Sequence, residues 1–132
     1  MGQCYSIDLI VSLKDEAGAV EALNKHIQED TRTNYNLDKF KEQGVTPDSF
    51  VGLMKIFLAG WKRWEFIIEE LDDGFTRYRN DFDASYGWES VISEMFYTLA
   101  PYLNDGSSVY VCPDSDAYEI VLEHGKLTEK AA

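Results

Sequence analysis

The sequence is poor in the residues that mark disulfide-rich, metal-binding or membrane proteins. It contains two cysteines, Cys4 and Cys112, and three prolines in 132 residues. Two cysteines without a preceding signal peptide predict free thiols and a reducing, cytoplasmic location. No apolar run approaches the ~18 residues that a membrane helix requires, so we expect no membrane partner.

Short motifs that identify common enzymes and cofactor sites are also missing. The chain has no glycine-rich phosphate loop, no dinucleotide-binding fingerprint, no zinc-ligand spacing and no Gly-x-Ser-x-Gly elbow. The segments Asp81-x-Asp83 and Asp114-x-Asp116 each place two carboxylates close together, but neither continues into a calcium-binding loop. We therefore predict no cofactor, no metal and no enzymatic activity.

Basic residues are scarce, and most of them lie in the first half of the chain. Twelve Lys and Arg residues oppose 24 Asp and Glu residues, which gives a formal net charge of −12. Residues 1–64 hold 9 acidic and 8 basic residues, whereas residues 65–132 hold 15 acidic and 4 basic residues. Because phosphate binding depends on Lys and Arg, direct nucleic-acid binding is not expected. The second half instead predicts a strongly negative surface.

Apolar residues are abundant enough for one folded domain. Hydrophobic residues make up 45% of the chain and aromatic residues 14%, which argues against disorder despite the charge. The length fits one domain and is too short for two ordinary ones. We predict a single domain over residues 1–132, with a small lobe or loop at 30–45 and a frayed tail at 126–132.

Hydrophobic periodicity predicts an α+β fold with the order β-α-α-β-β-α-β-β. The predicted strands cover about 4–13, 64–71, 75–83, 108–112 and 118–123, and the predicted helices about 16–28, 47–60 and 88–100. We expect a single mixed or antiparallel sheet of about five strands, with three helices mainly on one face.

The turn Asp72-Asp73-Gly74 leaves two registers open for the central hairpin. A two-residue turn would mix the apolar side chains of the first strand with charged side chains of the second. A three-residue loop pairs Leu71 with Phe75, keeps the apolar face together and places Glu69 opposite Arg77. Because a one-residue slip moves every side chain to the other face, the pattern favours the three-residue loop.

Two aromatic residues flank the start of the last predicted helix. Trp88 is expected to be a core residue, because it begins the apolar stripe of that helix. The alternative is that Trp88 is exposed as an anchor for a partner, and for Tyr86 the two interpretations are equally good.

The acidic surface of the second half is interpreted as a docking face for a basic, nucleic-acid-binding protein. Its carboxylates would attract the partner, and exposed tyrosines would add specificity. The candidate partner-binding residues are Glu65, Glu69, Glu70, Asp72, Asp73, Asp81, Asp83, Tyr86, Asp114, Asp116, Tyr118 and Glu119. We predict a non-enzymatic acidic inhibitor, with nucleic-acid mimicry as its strongest form, although Arg77 and Arg79 interrupt the acidic row.

Two other functions remain open. A small-molecule-binding or enzymatic domain would need an aromatic and acidic pocket beside the 30–45 segment, lined by Tyr35, Trp61 and Trp64. A homo-oligomeric structural protein would pair the strand at 118–123 across a two-fold axis at the sheet edge. The chain is accordingly expected to be a monomer or a homodimer.

Overall fold

A single antiparallel sheet of six strands forms the centre of the molecule. The computed structural model describes residues 2–58 and 67–132. The strands are Gly2–Val11 (β1), Ile67–Glu70 (β2), Thr76–Ser85 (β3), Ser108–Pro113 (β4), Tyr118–Glu123 (β5) and Lys126–Ala131 (β6). The helices are Glu16–Glu29 (α1), Leu37–Glu42 (α2), Phe50–Leu58 (α3) and Trp88–Leu99 (α4). The α+β prediction is confirmed, with one strand and one short helix more than expected.

The two longest strands, β1 and β3, lie in the interior of the sheet. The strand order is β2-β3-β1-β4-β5-β6, and every neighbouring pair is antiparallel. Alternation along β1 places Tyr5, Ile7 and Leu9 in the core, whereas Ser6 and Asp8 lie on the opposite side. Since β3 and β4 flank β1 and run in the same direction, α4 connects them across β1.

The hairpin of β2 and β3 has the register that the apolar pattern predicts. Glu69 lies opposite Arg77, and the Leu71 backbone N–H donates to the Phe75 carbonyl at 2.8 Å. Asp73 and Gly74 both have positive φ angles, of 62° and 80°. Glycine adopts this conformation without steric cost, and aspartate tolerates it better than most residues. The predicted beginning of the first hairpin strand, at Trp64, lies outside the described residues.

The helix starts follow their capping residues. Asp15 caps α1 as expected, because its Oδ1 accepts a hydrogen bond from the Gly18 N–H at 2.9 Å. The predicted start of α3 at Pro47 is wrong by three residues. The Ser49 hydroxyl oxygen accepts a hydrogen bond from the Gly52 N–H at 3.0 Å. Ser49 is therefore the capping residue, and the helix begins at Phe50. The predicted end of this helix at residue 60 lies outside the described residues.

The tail at 126–132 is not frayed, contrary to the prediction. His124 and Gly125, with φ angles of 52° and 73°, form a tight turn that returns the chain along β5. The sixth strand follows, and the Ala132 N–H still donates to the Ala117 carbonyl at 2.9 Å. Segment 30–45 contains α2, and its residues Tyr35 and Phe40 are buried in the core.

The core lies between one face of the sheet and the helices. The apolar stripe of α4, which begins at Trp88 and ends at Leu99, is buried as predicted. Side chains from α4 and β3 also bind carbonyl groups in the last described turn of α3. Trp88 Nε1 donates to the Phe57 carbonyl at 2.8 Å, and Asn80 Nδ2 donates to the Leu58 carbonyl at 2.9 Å.

Candidate functional site

The side of the sheet that faces away from the core is here called the open face. It carries every second residue of each strand, and all of these side chains are exposed or half-buried. The open face consists of Ile67 and Glu69 on β2; Arg77, Arg79, Asp81 and Asp83 on β3; Cys4, Ser6, Asp8 and Ile10 on β1; Ser108, Tyr110 and Cys112 on β4; Glu119, Val121 and Glu123 on β5; and Lys126, Thr128 and Lys130 on β6.

The middle of the open face is charge-balanced rather than acidic. All four basic residues of the second half of the chain lie on this face. Arg77 binds both carboxylate oxygens of Asp8, at 2.9 and 2.7 Å, and its guanidinium lies 3.7 Å from Glu69. Lys130 lies 3.7 Å from Glu119. The acidic residues here therefore do not form one continuous stripe.

Three carboxylates gather instead at one end of the open face, around Cys4. The sheet register places Cys4 opposite Asp83, with Asp81 two residues along β3, and Asp114 follows β4 at the same end. Partial burial and the negative charges of Asp83, Asp81 and Asp114 raise the pKa of the Cys4 thiol. We call Asp81, Asp83 and Asp114 the acidic end. No ion pair to these three carboxylates is found among the described residues.

Two of the candidate tyrosines have different environments. Tyr86 follows β3 near the acidic end and is 64% exposed. Tyr118 faces α4, where its hydroxyl donates to the Glu89 carbonyl at 3.1 Å and shares a hydrogen bond with Ser93 Oγ at 2.7 Å. The Tyr118 hydroxyl therefore links β5 to α4, and of these two candidates Tyr86 is the more accessible to a partner.

The remaining candidate carboxylates are spread over other parts of the molecule. Asp116 lies in the turn after β4, close in sequence to the acidic end. Glu70, Asp72 and Asp73 lie at the opposite end of β3, which is about 17 Å along the strand from Asp81 and about 24 Å from Asp83. Glu69 and Glu119 are near basic side chains, as described above, and Glu65 lies outside the described residues. The predicted acidic set is thus divided between the two ends of the sheet.

The two cysteines share the open face but do not form a disulfide. Cys112 lies opposite Ser6, two residues along β1 from Cys4. Such diagonal neighbours have Cα atoms about 7–8 Å apart. A disulfide needs a Cα distance of about 4.4–6.8 Å. The elevated pKa of Cys4 also makes it a poor candidate for a nucleophile.

Tyr35 does not line a pocket of the described part of the chain, contrary to the prediction of an aromatic pocket beside the 30–45 segment. This residue is buried and packs edge-on against Phe57 and Trp88, with ring centroids 5.4 and 6.1 Å apart. Trp61 and Trp64 lie outside the described residues. A cavity of about 180 Å³ nearby is lined by His26, Glu29, Asp30, Thr31, Arg32 and Glu94, and a shallow depression of about 610 Å³ by residues 116–118 and 129–132.

The most perturbed acid in the small cavity is held in a structural hydrogen bond. The Tyr35 hydroxyl donates to Asp30 Oδ2 at 2.7 Å, and the Arg32 and Thr33 N–H groups donate to Oδ1. These bonds, with that of Tyr35 the strongest, lower the pKa of Asp30 to about 2. Burial, together with the same carboxylate, raises the pKa of Tyr35. At neutral pH Asp30 is ionised and Tyr35 is protonated, so this pair anchors the chain after α1 and does not exchange a proton.

The predicted oligomer contact through β5 is wrong, because β6 covers that edge of the sheet. β5 has neighbours on both sides, and its backbone groups are used within the chain. The outer strands of the described sheet are β2 and β6.

Neutralising Asp83 should accelerate alkylation of Cys4. In a Cys112→Ala background, Asp83→Asn removes the carboxylate opposite the thiol, so the pKa of Cys4 should fall towards its ordinary value. The rate with iodoacetamide at pH 8, followed by mass spectrometry, should rise roughly 2–5-fold, because more of the thiol is ionised. Asp72→Asn removes the same charge at the other end of the sheet and should leave the rate unchanged. Equal acceleration by both substitutions would contradict the conclusion that the carboxylates of the acidic end raise the pKa of Cys4.

Comparisons of this chain with protein-family models, with curated proteins and with solved structures find no match. Within residues 2–58 and 67–132, no three His, Cys, Asp or Glu side chains are grouped so that they could hold a metal ion. None of the helices in the described part of the chain has the length and apolar content needed to cross a membrane. The acidic end and the neighbouring Tyr86 are therefore the features on which a function can be argued.

Proposed function

We propose that this protein is a non-enzymatic binding protein whose acidic end docks on a basic surface of a partner protein. The observation that carries the proposal is the gathering of Asp81, Asp83 and Asp114 at one end of a sheet face that no described helix or loop covers. Carboxylates grouped in this way attract a basic surface and accelerate encounter. Tyr86 lies near the same end and is exposed, so it is suited to be an aromatic anchor.

The distinction between paired and unpaired carboxylates supports this location. Asp8 is bound by Arg77 and therefore has little charge left to attract a partner. Asp81, Asp83 and Asp114 have no such ion pair within the described part of the chain. Attraction of a basic partner is therefore stronger at the acidic end than in the middle of the open face.

The partner class that fits best is a nucleic-acid-binding protein in the cytoplasm. Such proteins present clustered Lys and Arg residues, and a protein bound to that cluster excludes the nucleic acid. The chain would then be an inhibitor that competes for one basic site. Continuous mimicry of a duplex requires about one charge per 1.7 Å along an axis. The paired charges in the middle of the open face do not support that stronger form.

A capture experiment with two charge-matched variants tests the proposal. The protein is immobilised, exposed to lysate at about 50 mM salt and eluted with salt, and the affinity of the main eluted protein is then measured. The triple variant D81N/D83N/D114N should weaken that affinity at least tenfold and reduce its salt dependence. Excess DNA or RNA should compete with the wild-type protein.

The matched control is E70Q/D72N/D73N, which removes three charges from the other end of the sheet. It should bind nearly as well as the wild type. Equal loss in both triple variants would indicate ion exchange by net charge alone and would overturn the proposal. An affinity that does not change with salt, or the absence of a basic protein in the eluate, would do the same.

A further inference from the structure

The charges of β3 on the open face are self-complementary. The four side chains read Arg77, Arg79, Asp81 and Asp83, two positive and then two negative, at every second residue. Alternate residues of a strand share a face and are about 7 Å apart. The row is therefore antisymmetric about Asn80: reversing the strand exchanges each positive position with a negative one.

We propose that the open face is an interface with a second copy of this chain, packed face to face about a two-fold axis that crosses β3 at Asn80. A two-fold in this orientation stacks β1, β3 and β4 on the same strands of the second copy, running in the opposite direction. Arg79 then lies over Asp81 of the second copy and forms the principal charge contact, whereas Arg77, which already binds Asp8 of its own chain, lies over Asp83 of the second copy. Both contacts occur twice, because the interface is symmetric.

Only this position of the axis opposes unlike charges along all of β3. If the axis crosses β3 at residue 79, Arg79 meets itself, and at residue 81, Asp81 meets itself. An axis at residue 78 opposes Arg77 to Arg79, and an axis at 82 opposes Asp81 to Asp83. Because like charges in direct opposition are unfavourable, the charge pattern selects one register.

The neighbouring strands are compatible with the same register. The β1–β3 pairing puts Ile7 level with Asn80, so Ser6 meets Asp8 of the second copy. The β1–β4 pairing puts Val111 level with Ile7, so Cys112 meets Tyr110 of the second copy. No like charges are opposed along β3, β1 and β4.

The area that the second copy opposes corresponds to a weak and transient dimer. In this register β2, β5 and β6 lie on one side of the axis, so only β1, β3 and β4 overlap with the second copy. Three strands spaced about 4.8 Å apart, with about 15–27 Å of overlapping length each, cover roughly 300–350 Å² per copy. The total of roughly 600–700 Å² is below the usual size of a stable specific interface. The face is mostly polar, and the net charge of −12 on each copy opposes association. A dissociation constant in the micromolar range or weaker is expected.

The second copy and the basic partner would both use Asp81 and Asp83, so the two interactions exclude each other. Self-association would then reduce the concentration of free acidic ends. The inference does not depend on the proposed function, because the charge pattern of β3 and its test involve this chain alone. Failure of the test would leave the proposed docking of a basic partner unaffected.

A charge-swap experiment tests the interface. Sedimentation velocity of the wild-type protein, from about 10 to 500 µM in moderate salt, should show a concentration-dependent dimer. Arg79→Glu alone opposes two acidic side chains, and Asp81→Lys alone opposes two basic ones. Each single variant should weaken the dimer at least tenfold. An equimolar mixture of the two should restore it to within a few-fold, because each copy then supplies what the other lacks.

The double variant R79E/D81K shows whether the single substitutions act through charge pairing or through misfolding. It exchanges the two charges within one chain, so the homodimer should again form. Circular dichroism and thermal unfolding of each variant confirm that it is folded. A wild-type protein that is monomeric at the highest concentration overturns the inference. A dimer that is insensitive to both single substitutions, or a mixture that associates no better than the single variants, overturns it as well.

Discussion

Replacing Trp88 with alanine should lower the free energy of unfolding by about 3–5 kcal/mol. Trp88 is 7% exposed and packs against Tyr35, with ring centroids 6.1 Å apart. Its indole N–H also donates to the Phe57 carbonyl in the last described turn of α3. The substitution therefore leaves a large cavity and removes a buried hydrogen bond. Denaturant unfolding monitored by far-UV circular dichroism measures the change without relying on tryptophan fluorescence.

Trp88→Phe separates the two contributions at this position. Phenylalanine keeps most of the ring contacts but cannot donate to Phe57, so we expect a smaller loss of about 1–3 kcal/mol. Tyr86→Ala is the surface control and should change stability by less than about 0.5 kcal/mol. If Trp88→Ala costs no more than Tyr86→Ala, Trp88 is not a core residue. The interpretation of Trp88 as a partner anchor would then return.

Asn80→Asp should lower the free energy of unfolding by about 3–5 kcal/mol at neutral pH. Asn80 is buried, and its Nδ2 donates to the Leu58 carbonyl at 2.9 Å. Aspartate has almost the same shape, but its ionised side chain cannot donate and points at a carbonyl oxygen. The variant thus buries a charge without a partner at a position where the wild-type side chain donates a hydrogen bond.

The pH dependence identifies the cause. Burial beside a carbonyl holds the pKa of the introduced carboxyl above its unfolded value, since only the protonated form can donate to Leu58. The protonated form is fully present below the unfolded pKa, and its stabilising bond is lost as pH rises through the folded pKa. The difference from wild type should therefore be small near pH 4 and grow towards pH 7.

Asn34→Asp adds the same charge at an exposed position and serves as the control. Asn34 Oδ1 already accepts from the Asn36 N–H at 2.9 Å, and a carboxylate can do the same. Its stability should stay within about 0.5 kcal/mol of wild type at every pH. Parallel pH profiles for Asn34→Asp and Asn80→Asp would show that net charge, rather than burial at Leu58, causes the effect.

The sequence predicts those elements whose two faces differ strongly. The register of the β2–β3 hairpin was predictable, because a slip by one residue would expose the apolar face of β3. The stripe of α4 was predictable for the same reason, with apolar side chains at helical spacing. The sixth strand was missed, since residues 126–131 contain a single large apolar side chain, Leu127, and all six are exposed. An edge strand with no buried face leaves no periodicity in the sequence.

The sequence by itself determined the amount of charge, its concentration in residues 65–132 and the identity of the core-forming stripes. Those properties depend on residue type and local spacing alone. Only the tertiary structure decided which carboxylates are neutralised, because neutralisation depends on strand order. β1 lies between β3 and β4, so Asp8 from the first half binds Arg77 from the second. The same strand order gathers Asp81, Asp83 and Asp114 around Cys4, whereas Asp72 and Asp73 lie beyond the other end of β3.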